Sequence, residues 1–307
     1  CFFVIISIYI KKEEDKGMKY EVIDMKIAHS VQATLTIYAH EDYPEVYGER
    51  NRPMIVICPG GGYEHVSPRE GEAIALQFMT TGAHAAVLRY DVSGQGAEFP
   101  QHLLELAASV AYVRKHAAEY CIDPDKILVA GFSAGGHLAA SLGCFWKEKW
   151  LEELMQAETG ATMKDYQPNG EILAYPVITS GEFAHRGSFV KIMGSEAEQG
   201  YAPLGLSATE LEEKLSLEKQ VTSDFPPTFM WHTFEDGAVP LENSLFFAEA
   251  LRKAGVNFEY HVFPHGGHGY ALATKETAMK EGKEINAQCA QWIDLFKSWM
   301  KYNVYDI

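Results

Sequence analysis

At 307 residues, with 47% hydrophobic and 22% charged residues, the chain has the composition of a folded protein with a sizeable core. Its net charge of −16 speaks against nucleic acid or an anionic membrane surface as partner. The five cysteines, Cys1, Cys58, Cys121, Cys144 and Cys289, form no Cys-x-x-Cys and no zinc-type grouping with histidine, so no metal site is expected.

The first ten residues are apolar, too short a stretch to span a bilayer, and the next six, Lys11 to Lys16, are charged. No basic region precedes it, no small-residue cleavage site follows, and Met18 opens a strand-like pattern. Residues 1–17 are therefore expected to be a truncated or mis-started leader, and residues 18–307 a single domain. Alternation at 18–28 and 31–39 predicts an antiparallel strand pair at a sheet edge. Residues 41–52 are polar and read as a loop. The apolar run Met54 to Cys58 has the character of a central parallel strand, and Pro59-Gly60-Gly61-Gly62-Tyr63 follows it at once.

A helix is predicted over 69–81, with Ile74, Leu76, Phe78 and Met79 inward, then a strand at 83–90 and a glycine-containing loop at 91–99. Pro100 starts a helix expected to reach about residue 120, with Leu103, Leu106, Val110 and Val113 at core spacing. Residues 123–126 turn the chain into the strand 127–130, which leads to a small-residue helix at 136–142. An amphipathic stretch at 146–163 and a strand at 171–178 follow. Residues 179–225 break the rhythm and include an acidic helix near 209–219; they read as an insertion able to cap a site. A strand at 228–234, a helix at 241–254, a last strand at 256–263 and a closing helix at 275–302 complete the chain. Strands alternating with helices predict an α/β fold, a mostly parallel sheet covered on both faces. Cys58 and Cys144 lie in apolar runs and read as buried free thiols, which favours a reducing compartment.

The stretch that organises the chemistry is Gly131-Phe132-Ser133-Ala134-Gly135, a G-x-S-x-G between a strand and a small-residue helix. A serine at such a turn stands clear of the sheet at a helix N-terminus, where developing negative charge is favoured. An ordinary turn with a capping serine is the plain alternative. A hydroxyl needs a base, and the base an orienting acid. The two late strands lead into Glu235-Asp236-Gly237 and into His265-Gly266-Gly267-His268-Gly269, at the same sheet edge as Ser133. Asp236 is the expected acid, with Glu235 as a solvated loop charge. His268 is the expected base, since its glycine neighbours leave room for the ring, whereas His265 follows a proline. His137 and His232 read as structural. Backbone N–H groups of Gly61, Gly62 and Ala134 are the expected oxyanion donors. A phosphate cradle at the glycine run is disfavoured, because neither G-x-G-x-x-G nor a following Lys-Ser/Thr is present.

These residues resemble the α/β-hydrolase superfamily, and within it bacterial esterases related to acetyl-xylan esterase and hormone-sensitive lipase. Cys58 to Tyr63 is similar to their oxyanion loop, with Pro59 where many of the lipases carry His. Gly131 to His137 is similar to their elbow, and the stretches ending at Asp236 and His268 to their acid and base loops. The likeness covers nearly everything after Met18. It implies a serine carboxylic-ester hydrolase acting on short acyl groups of a small-molecule ester, acetylated xylo-oligosaccharide included, with Ser133, Asp236 and His268 as the triad and no cofactor. A prolyl-oligopeptidase-type serine peptidase and a non-catalytic binding protein on the same fold are the rival readings. The sequence leaves a homodimer open. It favours a cytoplasmic protein, with export as the alternative if the first seventeen residues are the remnant of a signal.

Overall fold

The computed structural model describes residues 17–41 and 50–305. All but the last residue of the leader expected at 1–17 and most of the loop expected at 41–52 lie outside the described residues. Eight strands among the described residues form one sheet: β1 (Lys19–Asp24), β2 (Thr34–Ala39), β3 (Arg52–Cys58), β4 (His84–Arg89), β5 (Ile122–Phe132), β6 (Gly170–Ala174), β7 (Thr228–Thr233) and β8 (Phe258–Phe263). Their spatial order is β1-β2-β4-β3-β5-β6-β7-β8. The pairs β1–β2 and β2–β4 are antiparallel, and every pair from β4 to β8 is parallel.

The helices are α1 (Glu72–Met79), α2 (Gln101–Lys115), α3 (Ala117–Tyr120), α4 (Ala134–Phe145), α5 (Lys149–Thr159), α6 (Met163–Tyr166), α7 (Arg186–Met193), α8 (Glu196–Gln199), α9 (Ala208–Lys214), α10 (Glu242–Ala254) and α11 (Trp292–Asn303). They divide between the two sheet faces. Met54, Val56, Ile127 and Val129 pack with Leu103, Leu138 and Phe247, which come from α2, α4 and α10. Ile55, Ile57, Leu128 and Ala130 pack with Phe78 and with Trp292 and Phe296, from α1 and α11. Because both faces are covered, the central strands are apolar throughout rather than alternating. This bears out the doubly covered, mostly parallel α/β sheet.

Several boundaries differ from the sequence expectations, each for a local reason. The helix expected at 69–81 is a 3-10 turn, Pro68–Glu70, followed by the shorter α1, and Leu76 is exposed rather than inward. The helix from Pro100 breaks at His116, where the backbone leaves helical values between α2 and α3. Residues 123–126 belong to β5 itself, which shifts register against β3 there. The strand expected at 171–178 ends at Ala174, because Tyr175 adopts φ +38°, which no strand residue can hold. The closing helix begins at Trp292, not at 275. Residues 275–288 run as turns, with Gly282 at φ +69° and the Asn286 side chain accepting from the N–H groups of Gln288 and Cys289.

Cys58, Cys121, Cys144 and Cys289 are free, the first, third and fourth buried. Among the described residues no helix is long and apolar enough to cross a membrane.

Candidate active site

Parallel register aligns the carboxyl ends of five strands. Cys58 pairs with Gly131, Phe132 with Ala174, Ala174 with Trp231, and Thr233 with Phe263. The loops that leave β3, β5, β6, β7 and β8 therefore emerge side by side, where an open α/β sheet gathers ligand chemistry.

Ser133 holds the turn from β5 into α4 at φ +55°, ψ −119°, a conformation sparsely populated by any residue with a side chain. Hydrogen bonds overdetermine it. Its N–H donates to Ala174 O at 3.0 Å, and its carbonyl accepts from Val177 N at 3.0 Å and from His137 N at 3.1 Å. The flanking glycines are obligatory. A Cβ on Gly131 would stand 2.2 Å from Gly135 O, and one on Gly135 would stand 2.1 Å from Cys58 O. The same closeness brings the glycine loop onto the elbow, where a Cβ on Gly60 would lie 2.9 Å from Ser133 Cβ.

Ser133 Oγ lies 2.7 Å from His268 Nε2, and His268 Nδ1 lies 2.7 Å from Asp236 Oδ2. Asp236 is buried, and its Oδ1 accepts from the N–H groups of Ala238 and Val239 at 3.0 and 2.9 Å. Burial pushes this carboxyl up, but the hydrogen bonds from His232 and His268, with their charges, outweigh it and hold the group below the ordinary aspartate range. An ionised carboxylate only accepts, so it places the proton of neutral His268 on Nδ1 and leaves Nε2 as an acceptor facing Ser133. Of the alternatives weighed from sequence, Glu235 is exposed and pairs with the exposed His265 at 3.1 Å.

Gly61 and Gly62 sit at φ +127° and +65°, and among the described residues neither N–H has a protein acceptor. Ala134 opens α4, in the first turn whose N–H groups have no partner within the helix. Tyr63 closes the glycine loop at φ +60° and its hydroxyl donates to His137 Nδ1 at 2.9 Å, while His137 Nε2 donates to Leu215 O at 2.9 Å. Burial pushes His137 down to about 4, so the ring is a neutral strut between the glycine loop, α4 and the segment that carries α9.

Four residues near this chain were not legible as site residues in the sequence. His232, read as structural, is buried on β7 with Nε2 3.2 Å from Asp236 Oδ2. Glu70 and Tyr175 are buried and joined at 2.7 Å beneath the glycine loop. His185 caps α7, accepting from Ser188 N at Nδ1, and stands beside Gly62. Burial, with the charge of His268, pushes it below the ordinary histidine value, and Asp236 partly offsets this. The one available signal was the imidazole of His232 inside the apolar run of β7.

Among known proteins, residues 42–251 match the family model described as BD-FAE. The chain is 36% identical over 247 residues to endo-1,4-beta-xylanase B of Butyrivibrio fibrisolvens, covering 79% of this chain and 35% of that protein. It is 28% identical over 225 residues to an acetylxylan esterase of Xylanibacter ruminicola, covering 72% of this chain and 41% of that protein. The chain thus spans well under half the length of these two relatives. Among solved structures it superposes on an acetyl ester-xyloside bifunctional hydrolase from Caldicellulosiruptor lactoaceticus with a TM-score of 0.70 and 34% identity, covering 89% of this chain and 88% of that one.

Proposed function

The chain belongs to the BD-FAE family of α/β-hydrolases, and we propose that it is a serine carboxylic-ester hydrolase that removes short acyl groups, acetyl foremost, from xylo-oligosaccharide-type alcohols. The observation that carries this reading is the unbroken chain from Ser133 Oγ through His268 to Asp236, each link 2.7 Å long. The similarity to proteins named acetylxylan esterase and acetyl ester-xyloside hydrolase supports acetyl and xylose-type substrates.

In the proposed reaction, His268 Nε2 takes the Ser133 proton as Oγ bonds to the ester carbonyl carbon. The carbonyl electrons move onto oxygen, where the N–H groups of Gly61, Gly62 and Ala134 receive them; removing one such donor costs roughly 2.7–4 kcal/mol of barrier. Collapse breaks the bond to the alcohol oxygen, which leaves with the proton held by His268. Water then repeats the sequence on the acyl-enzyme and releases the carboxylic acid. Asp236 keeps His268 in the required tautomer and balances its charge while it is protonated. The segment between β6 and β7 overlies the glycine loop through His185 and Ser188, and we assign it the shaping of the acyl and alcohol pockets. The buried thiols Cys58 and Cys144 are in keeping with a reducing compartment; fractionating cells that express the full native gene would test that placement.

Hydrolysis of p-nitrophenyl acetate and butyrate by the wild type and Ser133→Ala, followed by acetate release from acetylated xylo-oligosaccharides, tests the reading. Acetate preference lost in Ser133→Ala supports it. Activity that survives Ser133→Ala sinks it, and cleavage of peptide amides in place of esters turns the assignment to a peptidase.

A further inference from the structure

We propose that Glu70 and Tyr175 act as one positioning unit, locking the glycine loop to the base loop so that the oxyanion donors and His268 face the same carbonyl. The proposal rests on the ester-hydrolase reading above and adds to it two residues outside the triad.

Tyr175 joins the glycine-loop side of the site to the base loop. Its backbone follows Ala174, whose carbonyl holds Ser133 N, and its own N–H donates to Trp231 O at 2.8 Å. Its ring meets His268 edge-on, with centroids 5.1 Å apart at 73°. Its hydroxyl accepts from Ala271 N at 2.9 Å, just beyond the base, and donates to Glu70 Oε1 at 2.7 Å. Glu70 Oε2 in turn accepts from Gly60 N at 2.8 Å. Tyr175 is 1% and Glu70 4% exposed, so water does not compete for these bonds. A bulky residue at φ +38° is strained, and strain of this kind persists where the surroundings overdetermine it.

The proton count explains why a carboxylate is needed. Gly60 N–H can only donate. Tyr175 has one proton, and since its oxygen already accepts from Ala271, that proton goes to Glu70. Both carboxyl oxygens must therefore accept, which a glutamine amide cannot do. Replacement sets an N–H against Gly60 or turns the tyrosine proton away. Gly60 packs on Ser133, so moving it carries Gly61 and Gly62 off the position where charge develops. Ground-state binding of the ester does not use that position, so the loss belongs to the tetrahedral states.

The test compares Glu70→Gln, Tyr175→Phe and the double variant in the full chain. Rates on p-nitrophenyl acetate are expressed per site titrated with an organophosphonate. Expected are a kcat lower by on the order of 10- to 100-fold with KM within about twofold. Affinity for a boronic acid that forms a tetrahedral adduct should fall by the same factor as kcat/KM, and the double variant should lose no more than the worse single. Tyr175→Phe strands Ala271 N–H and is the variant at risk of misfolding; Glu70→Gln then carries the test. Unchanged kcat per titrated site overturns the proposal, as does a loss that leaves boronate affinity untouched. A wild type that neither cleaves esters nor takes up the phosphonate at Ser133 overturns the ester-hydrolase reading itself, and the positioning role with it.

Discussion

His232 Nε2 stands 3.2 Å from Asp236 Oδ2, the same oxygen that receives His268 Nδ1. The acid therefore serves two imidazoles, one of them buried with no route to substrate. His232 Nε2 also faces Val239 O at 3.0 Å and its Nδ1 faces Ser244 Oγ at 2.6 Å, so the ring donates at Nε2 and accepts at Nδ1. His232→Leu removes one of four donors from Asp236 and strands Ser244 and Val239. Chemical denaturation at pH 7 should show a loss of about 1–3 kcal/mol. Asp236 lies below its ordinary value in the fold, so its ionised form adds stability that is complete above the ordinary aspartate range and lost progressively as pH falls from there through the lower folded value. The gap between wild type and His232→Leu should accordingly hold steady from pH 7 to 5 and narrow in stronger acid.

The conformation of Ser133 opposes stability. At φ +55°, ψ −119° a side chain is disfavoured and glycine is not. Ser133→Gly should be inactive yet more stable than Ser133→Ala by about 1 kcal/mol, read from equilibrium unfolding of the two inactive variants. Equal stabilities would mean that the turn carries no strain.

Two glycines of the site answer differently to one methyl group. A Cβ on Gly135 would meet Cys58 O at 2.1 Å and Pro59 O at 2.4 Å, all of it backbone, whereas one on Gly267 would meet nothing within 4 Å. Gly135→Ala should cost about 3 kcal/mol or more, or prevent folding. Gly267→Ala should change stability by no more than about 0.5 kcal/mol and keep esterase activity. Thermal unfolding of both, with activity of the second, checks the pair.

Glu171 on β6 is fully buried, and neither carboxyl oxygen has a hydrogen-bond partner among the described residues. Burial pushes its pKa well above the ordinary value of 4.5. The unfolded chain then releases this proton at lower pH than the folded one, so stability falls as pH rises from 4.5 toward the folded value. Glu171→Gln has no proton to lose. Its advantage over wild type should be small at pH 4 and grow toward pH 8, to about 1–3 kcal/mol. Denaturation curves at the two pH values decide it, and a pH-independent difference would refute the account.

What could be read in advance follows from the range over which each feature is encoded. The strand-turn-helix around Ser133 is written in consecutive residues, because the close packing of Gly131 and Gly135 forbids other side chains there. The sheet was legible for a similar reason, since burial on two faces demands unbroken apolar runs. Glu70, Tyr175 and His232 owe their place to partners that the fold supplies. Tyr175 and Ala271 are 96 residues apart, and nothing near Tyr175 in the sequence announces the contact. The helix expected from 275 is interrupted by Gly282, which takes φ +69°, and by the Asn286 side chain, which bonds the N–H groups of Gln288 and Cys289 itself.

The segment between β6 and β7 leaves the sheet after Ala174 and rejoins it at Thr228, which lies opposite Glu171 on the neighbouring strand. Its two stems are therefore fixed by the scaffold, as in a cassette with standard fittings. Transplanting the corresponding stretch from a relative would leave the register of Ser133, Asp236 and His268 untouched. The fittings to keep are Tyr175, the Val177 N–H that holds Ser133 O, an acceptor where Leu215 O receives His137, and the N–H groups of Ile178 and Thr179 that donate to Asn243 Oδ1. If the segment shapes the substrate pockets as proposed, an exchange within those limits should change substrate preference and leave the arrangement of Ser133, His268 and Asp236 as it is.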